Sequence, residues 1–271
     1  MNSNHTFTHV VVVDFSPTEQ LMSAPERVIT LGGVTGAVDL VGADAQHPVR
    51  PMRLRKWSRR NDRYALRLVG HLQDLVAGGL INCLKYHAEE HAIKQIGDAY
   101  LDRMKDVLGN LRDQFRLDVN QNRKGRNRTV VGLTDDETGQ TDNKNMLVDD
   151  LRILAWICYL LEKLDVVFQD ASSDYTGLRV CMDRLPTDGD NLFKLELLAG
   201  MIGACCDHRV SLTTHEKSVV HQYDIIADNV AGLANEIYHH PSSDIAKAVQ
   251  KCSPSIFGIV GEMVTPSLRP T

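Results

Sequence analysis

Proline is scarce in this sequence, glycine is no more than ordinary, and long apolar runs are absent. The 271 residues include 9 Pro and 19 Gly, whereas 43% are hydrophobic, so the chain can form a packed core rather than a disordered or fibrous structure. The longest apolar run, residues 153–161, is far shorter than the ~20 residues that cross a bilayer. Residues 1–8 lack the basic patch and apolar stretch of a signal peptide. We therefore expect a cytoplasmic protein that does not span a membrane.

Excess basic charge is also absent. The chain has 30 Lys and Arg residues against 35 Asp and Glu residues, which gives a formal net charge of −5. A protein of this overall charge has no general affinity for polyanions, so any nucleic-acid surface must be local. The six cysteines include no C-x-x-C pair, and most of them lie in apolar segments, where a thiol behaves as a small hydrophobic group. We expect these cysteines to be reduced and structural.

Hydrophobic periodicity predicts strands that alternate with helices, which is typical of an α/β protein with a crossover sheet. The polar stretch 118–145 is predicted to be an inserted loop with a brief strand at 129–131. We expect one domain over residues 1–240 with inserted helices, followed by a peripheral C-terminal extension over residues 241–271. The predicted strands are 8–14, 27–35, 81–87, 178–183 and 209–213, and the predicted helices are 63–76, 89–112, 146–164, 191–205 and 219–238.

Three aspartates are predicted to lie near one edge of the sheet. Asp14 and Asp183 end strands, and the carboxyl ends of strands are where sites form in α/β sheets. Asp228 lies on the last predicted helix among apolar residues, with Asp224 one turn earlier. Burying a carboxylate is costly unless a cation or donors compensate it, and oxygen ligands suit Mg²⁺ or Mn²⁺. The favoured prediction is a divalent-metal site; for each aspartate singly, the alternative is a strand terminator or helix cap.

Three motifs carry a resemblance to a known family: Asp14-Phe-Ser16 after the first strand, the mid-chain Asp183, and Ala227-Asp-Asn-Val-Ala-Gly232 in the last helix. They resemble an RNase H-like bacterial family called domain of unknown function 3800. The resemblance covers roughly residues 8–35 and 145–238. It implies an RNase H-like mixed sheet flanked by helices, with a helical insertion, and a nuclease-like activity.

The sequence departs from the family pattern at three positions. Phe15 stands where the opening motif has a second acid, Pro17 where it has Gly, and Ile225 where the closing motif has Gln. Because an acid is missing, a non-catalytic nucleic-acid-binding or regulatory protein with a degenerate site is the alternative to an enzyme.

In the nuclease interpretation, metal ions activate water and stabilise the leaving oxygen of a phosphodiester. Lys217, just before the last helix, would contact a phosphate or orient an acid. The predicted catalytic residues are Asp14, Asp183, Asp228 and Lys217, and the predicted metal ligands are Asp14, Asp183, Asp228, Asp224 and Glu90.

Basic residues are concentrated in the segment 50–67, where eight Lys and Arg residues and one Asp give a local charge of +7. Basic side chains neutralise phosphates, and aromatic rings stack on bases. The alternative is a solvated helix entry whose arginines pair with acids of the chain. A second basic cluster at 123–128 favours nucleic acid as the partner. The predicted nucleic-acid-binding residues are Arg53, Arg55, Lys56, Trp57, Arg59 and Arg60.

A further alternative is a zinc hydrolase, because His87-Ala-Glu-Glu90-His91 matches the H-x-x-E-H motif, in which two His residues bind Zn²⁺ and the Glu activates water. No G-x-S-x-G or P-loop motif is present, and the Gly32-Gly33 pair indicates only a turn. The favoured function is thus a Mg²⁺- or Mn²⁺-dependent phosphodiesterase acting on nucleic acid, and the long helices are compatible with a homo-oligomer.

Overall fold

The chain folds into strands and helices that alternate along most of its length. The computed structural model describes residues 7–16, 28–37, 56–57, 61–109, 115–121, 127–134, 141–182, 184–187, 191–206, 209–213 and 221–261. In chain order the elements are β1 (His9–Ser16), β2 (Val28–Ala37), α1 (Asp62–Ala77), β3 (Asn82–Glu89), α2 (Glu90–Gly109), β4 (Phe115–Gln121), β5 (Asn127–Thr134), β6 (Thr141–Leu147), α3 (Val148–Ala171), β7 (Leu178–Cys181), α4 (Asn191–Cys205), β8 (Val210–Thr213), α5 (His221–His239), α6 (Asp244–Gln250) and β9 (Phe257–Gly261).

A six-stranded mixed sheet has the order β8-β7-β1-β2-β3-β9. Strand β2 is antiparallel to both β1 and β3, whereas β7 is parallel to β1 and β8, and β9 is parallel to β3. The valine run of β1 occupies the middle of this sheet because a strand buried on both faces needs apolar side chains at successive positions. The carboxyl ends of β1, β3, β7, β8 and β9 therefore meet at one edge.

Helices cover both faces of the sheet, which confirms the predicted α/β class with a mixed sheet flanked by helices. Val11 and Val13 of β1 point into a core formed with α2, α3 and α4. Val10 and Val12 point into a second core formed with α1, α5 and α6. This division follows from the alternation of side chains along a strand, and it assigns every residue of β1 to one face or the other.

The polar stretch 118–145 contains more regular structure than the sequence predicts. It belongs largely to a second sheet in which β4, β5 and β6 pair antiparallel in that order. The predicted brief strand at 129–131 lies within β5, but the prediction that the rest of the stretch is a loop is wrong. Pairing between strands uses backbone groups and needs no hydrophobic alternation. A search for apolar periodicity therefore misses strands as polar as Thr141–Leu147.

Two further expectations differ from the structure. Gly32 and Gly33 lie inside β2 and pair with β1, so they do not form a turn. Residues 241–261 form α6 and the edge strand β9, and Ile245 and Phe257 are buried in the core with α1 and α5. Elements of seven and five residues are too short to give a clear periodic pattern, which is why this part of the chain reads as a peripheral extension. None of the described helices combines the length and apolar character that crossing a membrane requires.

Candidate functional site

Asp14 lies next to the last long helix because of a close contact at Gly32. Asp14 is directly opposite Gly32 in the β1–β2 pair, and directly opposite residues share one face of an antiparallel pair. A Cβ atom added to Gly32 would lie 2.2 Å from the Cα and the N of Ala231, so the backbone of α5 rests on β2 at this position. The missing side chain at Gly32 therefore brings α5 close to Asp14.

Asp228 lies one turn before Ala231 on the same helix. Residues three apart on a helix have Cβ atoms about 5–6 Å apart. One turn after Ala231, the Asn235 Oδ1 accepts a hydrogen bond of 3.3 Å from the Thr30 hydroxyl of β2. The helix therefore runs along β2, and Asp228 belongs to the stretch of α5 that crosses the sheet beside β1. The carboxylates of Asp14 and Asp228 thus belong to two facing elements in direct contact.

Hydrogen bonds to backbone N–H groups orient both carboxylates. The Phe15 N–H donates to Asp14 Oδ1 at 2.7 Å, and the Trp57 N–H donates to Asp228 Oδ2 at 2.6 Å. Both aspartates are half-buried. An ionised carboxylate has two oxygens with about four lone-pair sites, so a hydrogen bond of this kind fixes its direction and is compatible with a cation on the same group.

Trp57 connects the basic segment to the helix that carries Asp228. Besides the hydrogen bond from its N–H, its indole ring lies over Gly232, where an added Cβ would be 2.1 Å from the ring Cγ. Lys56 beside it is exposed. The middle of the basic segment is therefore anchored next to one of the two carboxylates. The predicted nucleic-acid-binding residues Arg53, Arg55, Arg59 and Arg60 lie outside the described residues.

Phe15 points to the opposite face from Asp14. It is 4% exposed and packs in the core with Ile29 and Leu31, because successive residues of a strand face opposite sides of the sheet. An acid at position 15 would belong to the layer of α2, α3 and α4. The departure from the family pattern therefore removes no ligand from the side of the sheet where Asp14 meets α5.

The zinc motif spans the junction between β3 and α2. His87 lies in β3 and contacts the Thr30 hydroxyl through Nδ1 at 3.1 Å. Glu90 begins α2 and accepts a hydrogen bond of 2.6 Å from Lys94. His91 is exposed, and its Nδ1 lies 3.2 Å from a carboxylate oxygen of Glu89. The three side chains of the motif thus make three separate sets of contacts.

His87 belongs instead to a hydrogen-bonded cluster beside α5. Because the single Thr30 hydroxyl proton is donated to Asn235, that hydroxyl accepts from the Nδ1–H of His87, which assigns the proton to this ring nitrogen. The ring stacks on Tyr238 with centroids 4.8 Å apart. Burial lowers the pKa of His87 to about 4, with smaller contributions from the charges of Lys85 and His239. The ring is therefore neutral at neutral pH.

Several predicted site residues are outside the described part of the chain. These are Asp183, Lys217 and the side chain of Asp224. Cys181, the last paired residue of β7, is level with Val12 of β1. Within the described residues, no group of three or more His, Cys, Asp or Glu side chains is arranged to hold a metal ion. Of the five predicted metal ligands, Asp14 and Asp228 lie on two elements in contact, β1 and α5, while the Glu90 carboxylate contacts Lys94.

Sequence reasoning did not identify Gly32, Thr30 or Asn235. One signal was present for Asn235: it follows Asp228 by seven residues, which is two helical turns on the same face. Gly32 and Thr30 lie two residues apart in a predicted strand and so share a face, but no sequence pattern indicates which helix covers that face.

Comparison of the chain with family models, with curated proteins and with solved structures finds no match. The functional interpretation therefore depends on the residues of the site and on the order of the strands around it.

Proposed function

We propose that the protein is a divalent-metal-dependent nuclease with an RNase H-like sheet, in which Asp14 and Asp228 are metal ligands. The observation that carries this proposal is the contact between Gly32 and Ala231, since it holds α5, the helix of Asp228, against the strand pair that carries Asp14 near the edge where the parallel strands end. Catalytic sites of α/β sheets lie at such edges.

The order of the strands supports the RNase H-like part of the proposal. Strands β1, β2 and β3 form an antiparallel meander, and β7 and β8 are added in parallel beside β1. We take this meander with parallel strands on one side of it as support for the RNase H-like sheet that the motifs around Asp14 and Asp228 imply. The helices between the meander and β7, together with the sheet of β4, β5 and β6, are then the insertion.

The chemistry of the donors supports a hard divalent cation. Both ligands offer carboxylate oxygens, which suit Mg²⁺ or Mn²⁺ better than softer metals. When bound, such ions supply an activated water and a positive charge at the leaving oxygen of a phosphodiester. In our proposal Asp183 and Asp224 complete the ligand set, and the N–H groups of Phe15 and Trp57 hold the two described carboxylates in place. Lys217 would contact the substrate phosphate.

The position of Trp57 supports nucleic acid as the substrate. A chain with a net charge of −5 has its densest positive charge in the segment 50–67, and the middle of this segment is held against Asp228 through the Trp57 N–H. Basic side chains so placed would bind the phosphates on either side of the bond that is cleaved. The main argument for a non-catalytic function is the missing acid at position 15. Phe15 lies on the opposite face of the sheet from Asp14, so this argument does not bear on the proposed site.

A calorimetric titration with Mn²⁺ tests the proposed metal site. We expect the metal-free protein to bind Mn²⁺, and the double variant Asp14→Asn/Asp228→Asn to lose this binding. The matched control is Asp74→Asn/Asp170→Asn, which removes the same charge from two exposed helix positions and should bind like wild type. Equal binding by wild type and the site variant would contradict the proposed ligands.

Cleavage of labelled RNA and DNA, single- and double-stranded, tests the activity itself. Wild type should cleave one of these substrates in Mg²⁺ or Mn²⁺ but not in EDTA, and the site variant should be inactive with an unchanged melting temperature. Binding of nucleic acid that persists in EDTA, without cleavage of any substrate, would refute the nuclease and favour the binding protein.

A further inference from the structure

An exposed aromatic ring lies near the C-terminal end of α5, the helix that carries Asp228. Among the described residues, five large hydrophobic side chains are exposed, and Tyr238 is the only aromatic one, at 42%. Single apolar side chains on a protein surface are ordinary, so the contacts of this ring decide whether it has a function. An exposed aromatic ring whose position is fixed can bind a second planar ring by stacking.

The ring of His87 lies against one face of Tyr238. The two rings are stacked, with centroids 4.8 Å apart and an angle of 30° between their planes. The ring of His239, the next residue of α5, stands at 87° to Tyr238 with the centroids 5.1 Å apart. The exposed area of Tyr238 therefore lies on the part of the ring that His87 leaves uncovered.

A hydrogen bond to β2 holds His87 in place. Its Nδ1 lies 3.1 Å from the Thr30 hydroxyl, which donates to Asn235 Oδ1 at 3.3 Å. Asn235 and Tyr238 are three residues apart on α5, so they lie on neighbouring turns of one helix face. The stack is thus fixed from both sides, His87 by the sheet and Tyr238 by the helix that packs on it. A ring that is held in place before binding loses little conformational freedom when a ligand stacks on it.

The stack lies near the same edge of the sheet as Asp14. Ser16, Thr30 and His87 are directly opposite one another in neighbouring strands. This row is two residues closer to the edge than Asp14, and it belongs to the same face of the sheet. At about 3.4 Å per residue along a strand and about 4.8 Å between strands, the Cα atoms of His87 and Asp14 are about 12 Å apart. A short stretch of extended nucleic acid can therefore reach from the proposed metal site to Tyr238.

We propose that Tyr238 binds an unpaired base of a single-stranded nucleic acid by stacking, with His87 as the support behind it. The inference rests on the proposed function, from which nucleic acid follows as the substrate class. Proteins bind single strands with aromatic side chains on which bases stack, and every base offers a π-face for this contact. Bases inside a duplex are stacked on their neighbours, whereas those of a single strand can be splayed onto an aromatic ring. Tyr238 therefore selects single strands over duplexes.

Binding of fluorescently labelled oligothymidylate and oligouridylate tests the inference. The strands have about ten nucleotides, which is within the usual site size of single-strand-binding proteins. Fluorescence anisotropy is measured in EDTA, so that cleavage and metal binding do not contribute. Wild type should bind at least one of the two strands, and Tyr238→Ala should weaken this binding about 5- to 150-fold, which corresponds to the loss of one stacked base. A wild type that binds neither strand, or a Tyr238→Ala protein that binds like wild type, would overturn the proposal.

Two control variants and a control ligand separate stacking from other effects. Tyr238→Phe keeps the ring and should bind like wild type. Leu192→Ala removes a side chain of similar exposure, 49%, from α4 on the opposite side of the sheet, and it should also bind like wild type. A strand of abasic sites should bind wild type and Tyr238→Ala equally. The salt dependence of Kd should be unchanged in Tyr238→Ala, since no phosphate contact is removed. Weaker binding of the abasic strand by this variant would contradict base stacking.

Photochemical cross-linking identifies the residue that contacts the base. The full-length protein is irradiated in EDTA with a strand that carries 5-iodouracil in place of thymine, and the adduct is located by mass spectrometry. We expect the adduct on Tyr238. Adducts on other residues alone would overturn the proposal.

These measurements and the Mn²⁺ titration fail separately. If Asp14→Asn/Asp228→Asn binds Mn²⁺ like wild type, the proposed ligands are wrong, and a loss of single-strand binding in Tyr238→Ala still supports the base-binding site. If Mn²⁺ binding depends on the two aspartates but Tyr238→Ala binds single strands like wild type, the metal site stands and the base-binding site is refuted.

Discussion

Replacing Gly32 with alanine tests the contact that brings α5 onto the sheet. The added Cβ would lie 2.2 Å from two backbone atoms of Ala231 and 2.8 Å from its Cβ, whereas ordinary contacts begin near 3.4 Å. The helix must therefore move away from β2 by about 1 Å, and a gap of that size forfeits a quarter to a half of each dispersion contact it opens. Because the nearest atoms belong to the backbone of Ala231, no side-chain movement can relieve the clash.

The loss in free energy of unfolding should lie at the upper end of the range for overpacked cores, about 3 kcal/mol. For a domain of this size, each 1 kcal/mol shifts the melting temperature by about 2–4 °C, so we expect Gly32→Ala to melt about 6–12 °C below wild type. Thermal unfolding followed by circular dichroism measures this shift. The matched control is Gly70→Ala in α1, where an added Cβ meets nothing within 4 Å and should stabilise the helix by about 0.5–1 kcal/mol.

A second variant shows whether the obstacle is the backbone of α5. In Gly32→Ala/Ala231→Gly, the Cβ of Ala231 is removed, but its Cα and N remain 2.2 Å from the added group, so little stability should return. A Gly32→Ala protein as stable as wild type, or a full recovery in the double variant, would refute the close approach of α5 to β2 and with it the observation on which the proposed metal site depends.

Two further predictions concern buried and titrating groups. Lys194 donates a hydrogen bond to Asp150 at 2.7 Å, and both side chains are almost fully buried. Lys194→Met alone should therefore lower the free energy of unfolding, measured in urea, by about 3–5 kcal/mol, and Asp150→Leu/Lys194→Met should recover most of this loss. A Lys194→Met protein as stable as wild type would contradict the burial of the pair. The folded pKa of His87 is about 4, below its ordinary value of 6.5, so the unfolded chain binds more protons in this window and stability falls as the pH drops from 6.5 towards 4. His87→Gln should reduce this loss between pH 7 and 5, and an unchanged pH dependence would contradict the lowered pKa.

The parts of the fold that were predictable are those with strong apolar periodicity. The helix predicted at 191–205 has these bounds in the structure, and the valine run of β1 forms the expected buried strand. The sheet of β4, β5 and β6 was not predictable from hydrophobic patterns, since its polar strands pair through their backbones. Strand β9 was not predicted for another reason: it is an edge strand of five residues, which is too short to show a hydrophobic period.

The candidate site was predictable one residue at a time but not as an arrangement. Asp14 could be recognised because it follows an apolar run, and Asp228 because it interrupts the apolar face of a helix. The contact between the elements that carry them depends on Gly32, which interrupts a predicted strand and by itself indicates only flexibility or a turn. Whether a glycine inside a strand marks a bulge, a turn or the close approach of another backbone is decided by what packs on it, and here that is Ala231.

The alternation of side chains along β1 decides how the departure at Phe15 bears on function. In a linear motif, an acid replaced by phenylalanine next to Asp14 suggests a lost ligand. On a strand, adjacent residues face opposite layers, and Phe15 completes the core with Ile29 and Leu31, while Asp14 faces α5. A second carboxylate for a metal beside Asp14 must therefore come from another element, and our proposal assigns this role to Asp228 of α5. The substitution at position 15 changes the core on one side of the sheet and leaves the carboxylates on the other side in place.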